Sequence, residues 1–261
     1  MGWSLAGASS LMHRCGKTYA RDEEVDNVDF DTTDLDPPTA MQPPGGTKLG
    51  EYRLAHDRNI RVLAYGGSEP TSWVTLTTDG RIHYYAEPVD GPRHPSNNPV
   101  TLGWLRSRTT DRHGNEIHYT YQPTATATKR LQKITYTVST TGPYAGTATR
   151  EVRFSYQVRP DSIDAWVSGL EANIDDRLVT VAMWTPPPNG GPLELARSYH
   201  LAYDESPRTH RSRLTELSLC DAVGGCLPPT TFRYADPPEL NGHEVELVKT
   251  SRLFEDQLFS W

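Results

Sequence analysis

The feature that most constrains this chain is an alternation of two strand patterns through its second half. One pattern places apolar or aromatic residues at every second position and ends in tyrosine: Ile117-Tyr119-Tyr121, Val152-Phe154-Tyr156, Tyr199-Leu201-Tyr203 and, more weakly, Thr230-Phe232-Tyr234. The other opens with Arg-Leu and places apolar residues three and five positions after the leucine: Leu131-Ile134-Tyr136, Leu178-Val181-Met183 and Leu214-Leu217-Leu219. A period of two puts one face of a strand on packed neighbours and the other toward water. The three-residue step after each leucine breaks that period once, which predicts a bulge or turn as the strand begins. Successive terminal tyrosines lie 35, 47 and 31 residues apart, so the unit is a strand pair whose loops tolerate changes in length. The expected fold is all-β: an array of antiparallel β-hairpins forming a curved sheet, with little helix.

The first half carries the same period in Ile60-Val62-Ala64, Trp73-Thr75-Thr77 and Ile82-Tyr84-Ala86, with the hairpin signal Asp79-Gly80 between the last two. Glycine (20 residues) and proline (21 residues) supply many turn positions. No segment sustains a 3.6-residue period. Ser162 to Asn173 has room for a helical turn or two, interrupted by Gly169. Four regions are expected: an opening motif (1–21), an acidic and Pro/Gly-rich loop (22–50), the hairpin array (51–236) and a tail leading toward further sequence (237–261).

The net charge of −7 is local in origin. Eight acids and no Lys or Arg lie between Asp22 and Asp36, so the remainder is nearly neutral. That balance implies neither a nucleic-acid stripe nor an anionic-lipid patch. No run of 18 apolar residues is present, so membrane insertion by a helix of this segment is not expected. The N-terminal residues lack a basic and an apolar region of leader type, so no signal peptide is expected.

Several groups invite a chemical reading. Gly2-Trp3-Ser4-Leu5-Ala6 approaches a nucleophile elbow, but an elbow needs a strand to feed it, and a packed turn is the expected state. Asp29, Asp31, Asp34 and Asp36 are weak calcium candidates; the glycine and closing glutamate of a calcium loop are missing, which favours a solvated loop. The nine histidines show no metal-ligand spacing, so no metal or other cofactor is expected. Asp111 to Asn115 is a turn: Gly114 and Asn115 tolerate positive φ, and the Asp111 carboxylate can accept backbone N–H bonds. Cys220 and Cys226 flank Asp221-Ala222-Val223-Gly224-Gly225, whose glycine pair permits a reversal. A redox-dependent disulfide and two free thiols both remain open, since geometry decides between them.

Taken together, several of these pieces resemble a known family. Gly2-Trp3-Ser4-Leu5 followed by Arg14-Cys15 is similar to the opening of the SpvB-type domain of virulence and insecticidal toxin-complex B proteins. Trp104, then Asp111, Gly114, Asn115, Ile117, Tyr119 and Tyr121, resembles a signature of that domain and of the Rhs, or YD-repeat, superfamily. Tyr156 with Arg159-Pro160-Asp161, and then Tyr203, Ser212-Arg213-Leu214, Cys220 and Phe232-Arg233-Tyr234, resemble its later hairpins. The likeness is collinear over about residues 1–236, and it implies that the chain is a fragment of a longer protein. It further implies a non-enzymatic wall segment, partnered by other shell segments or subunits and by an enclosed toxin, and secreted after cytoplasmic synthesis. The alternative from the aromatic content is a secreted or surface carbohydrate-binding β-module; a hydrolase lacks its base–nucleophile constellation.

Overall fold

A computed structural model describes residues 11–13, 46–53, 59–90, 101–124, 129–139, 150–164, 166–167, 170–171 and 173–234. Among them every regular element is a β-strand. In chain order these are β1 (Leu11–His13), β2 (Thr47–Arg53), β3 (Arg61–Gly66), β4 (Pro70–Leu76), β5 (Ile82–Asp90), β6 (Thr101–Thr110), β7 (Asn115–Pro123) and β8 (Lys129–Ser139). They continue as β9 (Arg150–Ile163), β10 (Trp166–Val167), β11 (Leu170–Glu171), β12 (Ile174–Thr185), β13 (Glu194–Glu205), β14 (Ser212–Asp221) and β15 (Thr230–Thr231).

Thirteen strands make one antiparallel sheet in the order β15-β14-β13-β12-β9-β8-β7-β6-β5-β4-β3-β2, with β1 paired to β6. Spatial order follows chain order, so most strands pair with their sequence neighbour through a hairpin. The exception between β9 and β12 is the β10–β11 ribbon, which among the described residues pairs only with itself. This is the segment where helical turns were allowed by sequence. Trp166 and Val167 favour the extended state, and the pairing supplies backbone hydrogen bonds that a one-turn helix largely lacks. β6 is shared between partners: β7 takes Arg108–Thr110, and β1 takes Gly103–Leu105. The sheet already includes Thr47–Gly50, at the end of the segment expected to be loop.

The period break after each Arg-Leu is a one-residue bulge. Tyr121 faces Leu131 while Thr120 faces Lys133, leaving Gln132 extra. Leu178 faces Tyr156 while Thr180 faces Ser155, leaving Val179 extra. Tyr203 faces Leu214 while Ala202 faces Glu216, leaving Thr215 extra. Each bulge lets leucine and the later apolar residues share a face despite their odd spacing.

One five-residue turn design recurs. In Thr77–Arg81, Asp111–Asn115 and Asp221–Gly225 the first N–H donates to the fifth carbonyl, at 3.0, 3.0 and 2.9 Å. The fourth residue is glycine with φ of 79°, 78° and 88°, a left-handed conformation that side chains oppose.

Burial is uneven. Leu63, Tyr65 and Val74 are fully enclosed and pack with Tyr84, Leu76 and Ile82. β3 is covered on both faces. Beside it Glu51 accepts from Arg61 Nε and Nη2 at 2.8 and 2.7 Å and pairs with Arg53 at 2.8 Å. The Arg61 hydrogen bonds hold the Glu51 carboxyl at a pKa of about 2. From β7 onward few side chains are fully enclosed. That region is held across its face by polar and aromatic links.

Candidate functional site

The most organised surface is a ladder of tyrosine and arginine running across β7 to β15. Each strand-ending tyrosine lies opposite the leucine of the next Arg-Leu strand: Tyr121 with Leu131, Tyr156 with Leu178, Tyr203 with Leu214. Each later tyrosine also reaches back to the preceding leucine. Tyr156 donates its hydroxyl to Leu131 O at 2.7 Å, Tyr203 to Leu178 O at 2.6 Å and Tyr234 to Leu214 O at 2.8 Å. Tyr121 makes the corresponding bond to Arg106 O at 2.8 Å. A half-buried phenol needs such an acceptor, and a bulged strand offers a carbonyl outside the regular ladder. Burial pushes the Tyr156 hydroxyl up to about 12 and raises that of Tyr121 and Tyr203.

The arginine of each Arg-Leu pair covers the tyrosine ring that serves its leucine. Arg130 lies 4.9 Å from the centroid of Tyr156, Arg177 4.8 Å from Tyr203 and Arg213 5.1 Å from Tyr234. The same guanidinium forks onto the residue that follows the previous tyrosine. Oriented by its hydrogen-bond network, the Gln122 amide oxygen accepts from Arg130 Nε and Nη2 at 2.6 and 3.0 Å. Gln157 accepts from Arg177 in the same way at 2.6 and 2.7 Å. Asp204 accepts from Arg213 Nε and Nη2, both at 2.9 Å. Arg130 also pairs with Asp176, and Arg177 Nη1 donates to Ser212 Oγ at 2.7 Å. Only a planar, five-donor cation can fork in its plane and stack through its face at once, so lysine would not substitute. Most of these links join adjacent strands, while the Arg130–Asp176 and Arg177–Ser212 contacts reach past an intervening strand, β8 to β12 and β12 to β14.

A second cross-strand clamp lies beside the ladder. Asp161 accepts a fork from Arg159 at 3.2 and 2.8 Å, and the Ser212 N–H at 2.8 Å together with the Ser212 hydroxyl. Its carboxyl is held well below the usual range: these bonds outweigh desolvation, the largest single influence on it, which acts upward.

The sequence-predicted residues fall as follows. Gly2, Trp3, Ser4, Arg14 and Cys15, and the acidic Asp29, Asp31, Asp34 and Asp36, lie outside the described residues. Trp104 is buried and meets Trp73 edge-on, with ring centroids 5.7 Å apart. Asp111 Oδ1 accepts from the N–H groups of His113 and Asn115 at 2.8 and 2.9 Å. Gly114 adopts its positive φ there. Tyr119 lies under Arg106, 5.6 Å from centroid to guanidinium carbon. The sulfurs of Cys220 and Cys226 are bonded. The period of two predicts that one face of each aromatic strand packs against neighbours. The rings do pack, but largely against guanidinium groups, because neighbouring strands deliver arginine to that face. The acceptors Gln122, Gln157 and Asp204 were missed, although each directly follows a strand-ending tyrosine.

Reactive groups do not converge here. Ser198 Oγ lies 2.9 Å from His200 Nε2, but Ser198 is buried, and the nearby Glu216 carboxylate accepts the Ser218 hydroxyl at 2.7 Å. Among the described residues no cluster of three His, Cys, Asp or Glu side chains is arranged to hold a metal ion. The tyrosine faces under Arg130, Arg177 and Arg213 are already covered, which leaves those faces no room to stack on sugar.

No family model and no curated protein matches the chain. Solved structures do. The N-terminal domain of the effector SpvB from Salmonella typhimurium superposes with a TM-score of 0.54 at 17% identity, covering 67% of this chain and 69% of that one. The TcdB2-TccC3-Cdc42 crystal structure gives a TM-score of 0.55 at 18% identity, over 72% of this chain and 12% of that one. The Photorhabdus luminescens Tc holotoxin pore gives 0.56 at 16% identity, over 74% of this chain and 12% of that one. This chain thus spans about an eighth of the toxin-complex chains it matches. The thirteen-stranded meander with its stitched face has the fold of the SpvB N-terminal domain and of the corresponding stretch of toxin-complex chains.

Proposed function

We propose that this chain is a non-enzymatic wall segment of a secreted bacterial toxin of the SpvB and toxin-complex type. Its role is to help enclose or deliver a toxic cargo together with neighbouring shell segments. The observation that carries this reading is the tyrosine–arginine ladder. It invests polar and aromatic side chains in tying strand to strand, while the Ser198–His200 contact has its serine buried. The SpvB-like fold supports the same reading. A wall of this kind ends in strand edges, and unpaired backbone groups there favour association with further strands.

The test compares this chain alone with the same chain co-expressed with the rest of a toxin-complex shell. Sedimentation velocity should show association of the isolated chain that rises with concentration, and a defined complex when shell segments are supplied. A monodisperse monomer at high concentration that ignores those segments would defeat the proposal. Esterase, glycosidase and ADP-ribosyltransferase assays should stay at background.

A further inference from the structure

The Cys220–Cys226 disulfide closes a turn that already closes itself. In Asp221–Gly225 the Asp221 N–H donates to Gly225 O at 2.9 Å, and Asp221 Oδ1 accepts from Val223 and Gly225 N–H at 3.0 and 2.8 Å. Asp111–Asn115 makes the same three bonds with no disulfide: its Asp111 N–H donates to Asn115 O at 3.0 Å, and its carboxylate accepts at 2.8 and 2.9 Å. The covalent bond is therefore redundant for the reversal. What it adds lies downstream. Cys226 is the first residue of the segment that returns along β14 and forms the last described strand of the sheet.

That segment is thinly attached. Leu227 N–H donates to Leu219 O and Phe232 N–H to Thr215 O, both at 2.9 Å. β15 pairs with β14 at only two positions. Tyr234 closes the run through Leu214 O and Arg213. Residues 221–231 are exposed, as is Tyr234, while Cys220 is buried. Leu227 is 62% exposed and Phe232 half-buried, so none of the apolar side chains of this stretch is fully enclosed.

We propose that the disulfide is a redox latch on this edge. Oxidised, it pins residues 227–234 across β14. A small thiol or dithiol reductant donates two electrons and two protons, cleaving the Cys220–Cys226 bond to two thiols and itself becoming a disulfide. The segment then detaches and uncovers the β14 edge, while the Asp221 turn persists on its own hydrogen bonds. This device is independent of the toxin reading, since it rests only on the edge geometry.

The test is hydrogen exchange at residue resolution on the full chain, oxidised and then reduced with dithiothreitol, with intact mass reporting the bond. Reduction should accelerate exchange at Leu227 and Phe232 by at least about tenfold, with Val223, Gly225 and Asn115 amides within about twofold of their oxidised rates. Cys220→Ser/Cys226→Ser should behave like the reduced chain. Unchanged exchange at Leu227 and Phe232 once the mass shows both thiols would overturn the latch. So would equal loss of protection at Gly225 and Phe232, which would make the bond a support of the turn. Should the double variant fail to fold, reduction of the folded wild-type chain decides by the same criteria.

Discussion

At the residue scale, two positions carry conformational and protonic demands that can be measured. Gly114 is buried at a φ of 78° and supplies the fourth position of the Asp111 turn. Valine there places a branched Cβ in a conformation that L-residues resist, so Gly114→Val should cost at least about 2 kcal/mol in urea unfolding. An unchanged midpoint would contradict the turn. Tyr156→Phe keeps the ring under Arg130 but leaves Leu131 O without its hydroxyl donor, for a loss of about 1 kcal/mol. The phenol also sets a pH dependence. Its folded pKa of about 12 exceeds the ordinary value of 10.0, so the unfolded chain loses this proton first as pH rises. The contribution is complete below pH 10.0 and lost as pH climbs toward about 12. Urea midpoints measured across that window should fall less steeply in the phenylalanine variant than in the wild type.

At the element scale, the Arg-Leu strand is a device with three parts: a guanidinium that forks backward and stacks forward, a leucine whose carbonyl takes a phenol, and a bulge that realigns the rest. The Arg177-Leu178 strand shows all three: Arg177 forks onto Gln157 and stacks on Tyr203, Leu178 O accepts the Tyr203 hydroxyl, and Val179 is the extra residue of the bulge. A double-mutant cycle of Arg177→Met and Gln157→Ala isolates the backward fork. Its coupling should be about 1 kcal/mol, while Arg177→Met alone should cost more because the stacking and the Ser212 bond go with it. Zero coupling in the four urea midpoints would mean that the fork does not form in solution. The period break was visible in sequence as a leucine followed three residues later by an apolar residue. The fork was harder to see, since Gln122 and Asp204 differ in chemistry and share only the ability to accept two parallel N–H bonds.

At the scale of the whole molecule, burial is concentrated around Leu63, Tyr65 and Val74, and the sheet beyond β7 is a stitched wall. Among the described residues its other edge is β2, where Leu49 and Tyr52 are 40% and 44% exposed. A charge on an edge strand opposes pairing with another edge. Leu49→Lys should therefore weaken concentration-dependent self-association in sedimentation velocity, with thermal stability changed by no more than about 0.5 kcal/mol. Self-association as strong as that of the wild type would place the contact elsewhere.

The all-β class, the hairpin order and the place of the bulges were legible in residues 51–236, because period two and its single interruption are local properties of the backbone and its side-chain alternation. The Asp111 turn was legible for the same reason: one carboxylate, one glycine and a fixed short spacing define it. The Ser162–Asn173 segment was not, since a short run with mixed propensities takes whichever pairing lies within reach. The ladder itself required the folded sheet. Arg130 meets Tyr156, and Arg177 meets Tyr203, across separations set by loop length and by a register that bulges shift. Alternation determines which face a side chain takes, but only the assembled register decides which side chain from another strand meets it there.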